Sequence, residues 1–275
     1  MNSKTKHILS IIGICLLVVV IFYAPQGIFA VMATFGASFY YGLTGTDPAD
    51  ISQKIMEAMP HTLGYVLLLS SVMAVIIFVV IKYINLRQEF RPNNTPWRLS
   101  PAILVASFAG ILASDLLNEM IDLDDILADQ MLEIASDPAG MLAIALIGPI
   151  TEEITFRGVL MNKLREKGLG PWAAILLSAF VFGAVHGNPA QIPFAMIVGV
   201  ILGIIYHKTR SLILCCVLHV LNNTWAVVMM NIYGDSSEDI SWGDLLGGGQ
   251  LTLYMTLGLC LILSVSFFYW YWKKP

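Results

Sequence analysis

The sequence predicts an all-α, polytopic membrane protein with about eight transmembrane helices. Composition, the lengths of the apolar runs and the placement of the basic residues support this prediction. Of the 275 residues, 57% are hydrophobic and only 12% are charged, and the mean hydropathy is +0.75. A water-soluble domain of this length could not cover its surface with so few polar groups. We predict a single transmembrane domain over residues 1–275, with a motif-bearing core at 140–231.

Eight apolar runs are long enough to form the predicted helices. A helix of roughly 17–25 residues crosses a hydrocarbon layer about 30 Å thick. The fifth and sixth runs are short and are joined by Gly187-Asn188-Pro189, which predicts a tight helical hairpin. The runs are Ile8 to Ala24, Thr62 to Tyr83, Pro101 to Leu117, Gly140 to Leu164, Pro171 to His186, Ile192 to Tyr206, Ser211 to Met230 and Leu251 to Trp272.

The N-terminal run leaves two questions open. Two lysines precede it, as in a cleaved signal peptide, but its length and the Phe29-Ala30 pair argue for a retained helix. A further apolar stretch from Ile28 to Leu43 either extends the first helix past Pro25 or lies along the outer interface.

The basic residues predict the orientation. Short cytoplasmic loops of membrane proteins are enriched in Lys and Arg. With the N-terminus inside, every Lys and Arg except Lys54 and Arg157 falls on an inner segment, so both termini are predicted to be cytoplasmic. The acidic loop at 118–137 predicts a short amphipathic helix at the outer surface. The other outer acids are Asp47, Asp50, Glu57 and those at 235–244.

Two classes of site are not indicated. The four cysteines lie in predicted spans without CxxC spacing, so neither a disulfide framework nor a thiolate metal cage is expected. The basic residues are spread over the inner loops as the topology requires, so we expect no nucleic-acid partner. We expect the lipid bilayer to be the principal surroundings of the chain.

Three ionisable residues in the fourth run are the most informative feature of the sequence. Charged groups at bilayer depth are costly and rarely occur without a partner or a function. Glu153 and Arg157 are four residues apart on one helical face, in the favourable order for an ion pair. Glu152 projects about 100° away and has no partner in its own helix, which favours a role as a general base or acid. The alternative is a purely structural ion-pair network.

The later runs carry two further polar pairs at helical spacing. Phe182 and His186 share a face near the end of the fifth run, and a lone His in that place is as often an interfacial side chain as a functional one. His219 and Asn223 share a face in the seventh run. They could bond to neighbouring helices or donate hydrogen bonds to a developing oxyanion.

Glu-Glu-xxx-Arg, Phe-xxx-His and His-xxx-Asn, in this order on successive helices, resemble the CAAX protease and bacteriocin-processing family. That family includes intramembrane type II CAAX prenyl endopeptidases of the Rce1 type. The resemblance implies that Glu152 activates water with His186 as its partner. It also implies His219 and Asn223 as oxyanion donors, with Glu153, Arg157 and Phe182 in support.

The resulting hypothesis is an intramembrane endopeptidase that cleaves membrane-associated peptides or protein C-terminal tails, in a bacterial inner membrane. The alternatives are a non-catalytic scaffold or bacteriocin-immunity factor of the same fold, and a cation-coupled transporter. Glu152, His186 and His219 could also hold a divalent metal such as zinc, although they lack HExxH spacing. Metal dependence therefore stays open at this point.

Overall fold

The computed structural model describes residues 2–91, 100–121, 123–233 and 242–274, and all regular structure in these ranges is helical. Arg98 and much of the acidic stretch at 235–244, both used in the predicted orientation, lie outside the described residues. The helices are α1 (Ser3–Leu43), α2 (Pro48–Val80), α3 (Leu86–Glu89), α4 (Ser100–Ile121), α5 (Ala128–Ser136), α6 (Pro138–Glu166), α7 (Pro171–Ala184), α8 (Gln191–Thr209), α9 (Leu212–Tyr233), α10 (Trp242–Leu245) and α11 (Gly249–Lys273).

Seven of the described helices are long and apolar enough to cross a membrane. The shorter apolar helix α7 has 14 residues, which is about 21 Å. Each of the eight predicted runs lies on one of these eight helices, so the all-α membrane class is confirmed and the predicted count of about eight is close. The predicted orientation and the single-domain boundary stay predictions.

Helix α1 answers the question about the stretch from Ile28 to Leu43. The helix runs without interruption through Pro25 to Leu43, although proline removes one backbone hydrogen bond. Its 41 residues make it about 60 Å long, twice the thickness of a hydrocarbon layer. Ile14, Val18 and Ile21 are buried in the core of the bundle, so the first apolar run packs as part of the fold.

Helix α6 carries the two glutamates and is not a uniform α-helix. The segments Ala143–Ile147 and Ile154–Met161 are π-helical, and they flank the α-helical residues Gly148–Glu153. The backbone N–H of Gly148 bonds to the Ala143 carbonyl. A Cβ atom at Gly148 would lie 2.7 Å from that oxygen, so only glycine fits the turn. Such π segments are rare and often occur at functional sites.

The predicted hairpin of α7 and α8 is present, and glycines let its two helices pack closely. A Cβ atom at Gly183 would meet Met196 Cγ at 2.3 Å, and one at Gly199 would meet Ala179 at 3.0 Å. Gly187 in the connecting loop has φ of +64°, a left-handed conformation that favours glycine. These contacts bring the end of α7, with His186, against the bundle.

The amphipathic helix predicted within 118–137 is present as α5, and its outer position stays a prediction. Ile134 and Ala135 are buried, whereas Asp129 is exposed. Asp137 follows α5, and its Oδ1 accepts hydrogen bonds from the N–H groups of Ala139 (2.9 Å) and Gly140 (3.4 Å) at the start of α6. This carboxylate therefore caps the helix that carries Glu152.

A polar group that we call the α3 cluster joins α3 to the bundle. Tyr206 Oη donates to Glu89 Oε2 (2.6 Å). Asn162 Nδ2 lies within hydrogen-bonding distance of Tyr206 Oη (2.8 Å) and the Gly158 carbonyl (2.8 Å). Arg210 Nη1 donates to Asn162 Oδ1 (3.1 Å), and its guanidinium lies 4.9 Å from the centre of the Tyr206 ring. The cluster consists of Glu89, Asn162, Tyr206 and Arg210.

Candidate active site

The predicted pair of Glu153 and Arg157 is formed. Arg157 Nη1 lies 2.8 Å from Glu153 Oε1, and both side chains are fully buried. Arg157 Nη2 also donates to the Gly199 carbonyl on α8 (3.2 Å). The guanidinium lies 4.7 Å from the centre of the Phe182 ring, within the range of a cation–π contact. The pair therefore connects α6 to both arms of the α7–α8 hairpin.

His219 lies between the two glutamates. Its Nδ1 donates to Glu153 Oε1 (2.8 Å), and its Nε2 faces Glu152 Oε2 at 3.6 Å. Because an ionised carboxylate can only accept, Nδ1 carries a proton in this arrangement. Nε2 of a neutral His219 is then an acceptor, and it donates only when the ring carries a second proton. We call Glu152, Glu153, Arg157 and His219 the central cluster.

Glu152 is the part of the central cluster with spare hydrogen-bonding capacity. Its side chain is 19% exposed. Its Oε2 is buried, and among the described residues it has no hydrogen-bond partner. Glu153 Oε2 is also buried without a hydrogen-bond partner among the described residues. Glu153 Oε1, in contrast, contacts both Arg157 and His219. Buried polar atoms without a partner are uncommon and call for an explanation.

The charges of the central cluster do not cancel. Two carboxylates and one guanidinium leave one negative charge when both glutamates are ionised. One proton held between His219 Nε2 and Glu152 Oε2 would bring the total to zero. The space between these two atoms is therefore where a proton would balance the charge.

His186 lies beside the central cluster and not within it. Its Nδ1 donates to the Phe182 carbonyl (2.8 Å), which is its one hydrogen bond among the described residues and leaves Nε2 as an acceptor. The Phe182 ring contacts both imidazoles, with centroid distances of 5.0 Å to His186 and 5.7 Å to His219. Phe182 therefore spaces the two predicted histidines.

Asn223 bonds to the backbone carbonyl of Ile144, which has no hydrogen-bond donor within α6. In an α-helix the Ile144 carbonyl would accept from the N–H of Gly148, but that N–H bonds to the Ala143 carbonyl instead. The next residue, Pro149, has no N–H to offer. Asn223 Nδ2 donates to the Ile144 carbonyl instead (3.1 Å). A side-chain amide has two N–H donors, so the second remains for a ligand.

Sequence reasoning missed several of these contacts. The bridging position of His219 and the Ile144 carbonyl could not be read from spacing within single helices. Tyr23 on α1 donates to the carbonyl of Val185, the residue before His186. Nothing in the sequence around Tyr23 indicated that contact. The Gly148-Pro149 pair was the available signal for the irregular turn in α6.

The predicted metal ligands are brought together only in part. Glu152 and His219 face each other, but the described residues hold no group of three His, Cys, Asp or Glu side chains placed to bind a metal ion. The donor set of Glu152, His186 and His219 is therefore incomplete as arranged, and we derive no chemical step through a metal.

Two comparisons with known proteins match part of the chain. Residues 135–225 match the family model described as Type II CAAX prenyl endopeptidase Rce1-like. Over 92 residues the chain is 29% identical to "Putative membrane peptidase YdiL" from Bacillus subtilis (strain 168), a match that covers 34% of this chain and 37% of that relative. No solved structure matches the chain. The matched segment, about a third of the chain, contains every predicted site residue from Glu152 to Asn223, and in this segment the chain is similar to the type II CAAX prenyl endopeptidase Rce1-like family.

Proposed function

We propose that this protein is an intramembrane endopeptidase that hydrolyses peptide bonds in membrane-associated peptides or protein tails. The observation that carries the proposal is Glu152 Oε2, which is buried without a hydrogen-bond partner among the described residues and faces His219 Nε2 at 3.6 Å. A general base needs an acceptor that is positioned but not already bonded. The match of residues 135–225 to a family of prenyl endopeptidases supports the same function.

In the proposed reaction, Glu152 accepts a proton from a water molecule while the water oxygen attacks the peptide carbonyl carbon. His186 Nε2 is a second acceptor for that water. The negative charge that develops on the carbonyl oxygen is met by the remaining N–H of Asn223, and by His219 when its Nε2 carries a proton. The C–N bond then breaks, and the proton held by Glu152 passes to the leaving nitrogen.

Glu153 and Arg157 act through His219 in this proposal. Their buried pair fixes Glu153 Oε1, which orients the His219 ring so that Nε2 points at Glu152. Phe182 contacts the imidazoles of both His186 and His219 and separates them. These residues position the acceptors and donors without contacting the reacting atoms.

Two further observations support the proposed substrate class and cellular location. The helices that are long and apolar enough to cross a membrane support membrane-associated peptides and tails as the substrate class. The Bacillus subtilis relative supports a location in a bacterial cell membrane. A divalent metal such as zinc stays a prediction. Metal content of the purified protein tests it, because a bound ion would require His186 to move towards Glu152 and His219.

The proposal is tested with the full chain purified in lipid nanodiscs. Wild type and Glu152→Gln are incubated with a library of membrane-associated peptides, and product masses are read with and without a chelator. We expect wild type to cleave and Glu152→Gln to lose at least about a hundredfold in rate, because a general base contributes about 10²–10⁴-fold. Glu166→Gln, an exposed acid on the same helix, is the matched control and should keep full activity.

Two outcomes would count against the proposal. Retained cleavage by Glu152→Gln would remove Glu152 as the base. No cleavage of any library peptide by a well-folded wild type would favour the non-catalytic alternative, a membrane scaffold or bacteriocin-immunity factor of the same fold. Gel filtration and thermal unfolding of each variant show whether the protein remained folded.

A further inference from the structure

A second cavity, distinct from the central cluster, lies between α4, α8 and α9. Its volume is about 290 Å³, below the usual 300–1,000 Å³ of pockets for whole small molecules. It therefore suits one side chain better than a whole ligand. We call it the α4 pocket, and the lining residues that matter here are Asp115, Asn118, Gln191, Asn222, Trp225 and Trp242.

Asp115 brings an unpaired carboxylate to this pocket. Within the described residues no Lys, Arg or His forms an ion pair with it. The sequence at 234–241, next to Trp242, also contains no basic residue. The side chain of Trp242 donates one hydrogen bond to Asp115, but an indole carries no charge. A partly buried carboxylate without a cation is costly.

Asn118 supplies a second hydrogen-bond acceptor at the α4 pocket. Asn118 is three residues after Asp115 and lies on the same face of α4. Its Oδ1 is buried and has no hydrogen-bond partner among the described residues. A carboxylate and a free amide oxygen together accept several N–H donors, which matches an ammonium or a guanidinium group.

Aromatic side chains form the walls of the pocket. Trp225 on α9 and Trp242 on α10 both line it, and indole rings attract cations through their faces. The backbone N–H of Trp242 donates to Glu119 Oε2 (2.9 Å), which fixes this wall against α4. Trp225 and Trp242 thus favour a positive charge in the pocket, as Asp115 does.

The α4 pocket adjoins the candidate active site through one residue. Asn222 lines the pocket, and its Nδ2 donates to Oδ1 of Asn223 (3.1 Å), the predicted oxyanion donor. A side chain seated in the pocket would therefore belong to a residue near the bond held at Asn223.

We propose that the α4 pocket is a substrate subsite for one positively charged side chain, lysine or arginine. The inference rests on the proposed endopeptidase function. Asp115 and Asn118 accept the N–H groups of the cation, and Trp225 and Trp242 cover its apolar stem and charge. The sequence motifs of the site contain none of these four residues.

Binding tests this subsite without relying on cleavage. The Glu152→Gln protein in nanodiscs is titrated with dye-labelled, acylated peptides of Ala and Leu that carry one Lys at successive positions. A matched set carries norleucine in place of Lys. We expect Lys at one position, or at two adjacent positions, to bind about tenfold more tightly than norleucine, as a charged hydrogen bond would give.

Variants of the protein test whether the preference for Lys over norleucine depends on the α4 pocket. Asp115→Asn should abolish it, whereas Asp129→Asn, which removes an exposed acid on α5, should keep it. Should Asp115→Asn fail to fold, Trp225→Leu tests the same pocket without removing a charge and should weaken Lys binding relative to norleucine. Equal binding of the two peptide sets, or a preference unchanged in both pocket variants, would overturn the subsite.

The two proposals fail separately. If wild type cleaves norleucine and Lys peptides at equal kcat/KM and binds them equally, the endopeptidase stands and the subsite is wrong. If no peptide is cleaved but Lys binding still depends on Asp115, the pocket is a cation site and the endopeptidase proposal is wrong.

Discussion

The central cluster and the α3 cluster are two polar groups in the same bundle, and they differ in how completely their atoms are bonded. Both join α6 to α8, and both combine a carboxylate with an arginine. In the α3 cluster none of the described side-chain atoms is buried without a partner. In the central cluster Glu152 Oε2 and Glu153 Oε2 both are.

This difference separates a polar group that holds helices from one that can act on a ligand. Saturated hydrogen bonds stabilise a bundle but leave no atom available for a substrate or a water molecule. Unsatisfied buried oxygens cost stability, and a fold retains them where a ligand completes them. The comparison predicts that substitutions in the two clusters affect different quantities.

The largest effect on stability is expected from Arg157→Leu. The change leaves Glu153 buried with His219 as its remaining partner, and breaking a buried pair costs about 3–5 kcal/mol. Thermal unfolding in detergent and purified yield measure this cost. Arg165→Leu removes an exposed arginine from the same helix and should stay within about 0.5 kcal/mol of wild type. Normal yield and stability of Arg157→Leu would contradict the buried pair.

Asn223→Ala is expected to change turnover and stability together. Loss of an oxyanion donor lowers kcat by about 10²–10³-fold with little change in KM. The Ile144 carbonyl also loses its partner, which costs about 1–3 kcal/mol. Asn231→Ala is the matched control, because Asn231 lies on α9 with Asn223 and its Nδ2 donates to the Ala135 carbonyl of α5 (3.0 Å). It should lose stability and keep kcat. A change in KM alone for Asn223→Ala would exclude the oxyanion role.

Tyr206→Phe should affect stability and not chemistry. The variant removes the hydroxyl that bonds Glu89 and Asn162 in the α3 cluster, at a cost of about 1–3 kcal/mol. Thermal unfolding should report that loss, while kcat of the folded fraction equals that of wild type. A fall in kcat would mean that the two clusters are coupled through α6 and α8, and the comparison would no longer hold.

The smallest effect is expected at Asp137, the N-cap residue of α6, which belongs to neither cluster. The hydrogen bond with His61, together with the N–H groups of Ala139 and Gly140, holds the pKa of the Asp137 carboxyl below its ordinary value. A carboxyl with a lowered folded pKa stabilises the fold above its unfolded pKa of about 3.9, and this contribution is lost as pH falls through the folded value. Thermal unfolding between pH 3 and 6 should show a loss in wild type that is smaller in His61→Gln. Identical pH profiles would show that the contact contributes nothing.

The sequence was sufficient for the features that depend on one helix at a time. Run length and composition predicted each apolar helix, and i,i+4 spacing predicted the pair of Glu153 and Arg157. The Gly187-Asn188-Pro189 sequence also predicted the hairpin that joins α7 to α8. Each of these features is a property of neighbouring residues along the chain.

The features that depend on two helices were not predictable in the same way. Spacing placed His219 and Asn223 on one face of α9, but it did not indicate that His219 reaches both glutamates. The bond of Asn223 to Ile144 depends on the π segment in α6, which ordinary helical periodicity does not represent. The course of α1 beyond Pro25 was left undecided, because proline can bend or end a helix.

The two π segments of α6 have a consequence for any diagram that projects this helix onto a circle. An α-helix advances 100° per residue, and a π turn contains more residues, so the phase of the projection shifts at Ala143–Ile147 and again at Ile154–Met161. A helical wheel drawn continuously from Pro138 to Glu166 therefore accumulates a phase error across these segments, although a close pair such as Glu153 and Arg157 stays on one face. A one-residue deletion in 143–147 would turn the capped N-terminal end of α6 by about 100° relative to Glu152, while leaving the composition of the helix almost unchanged.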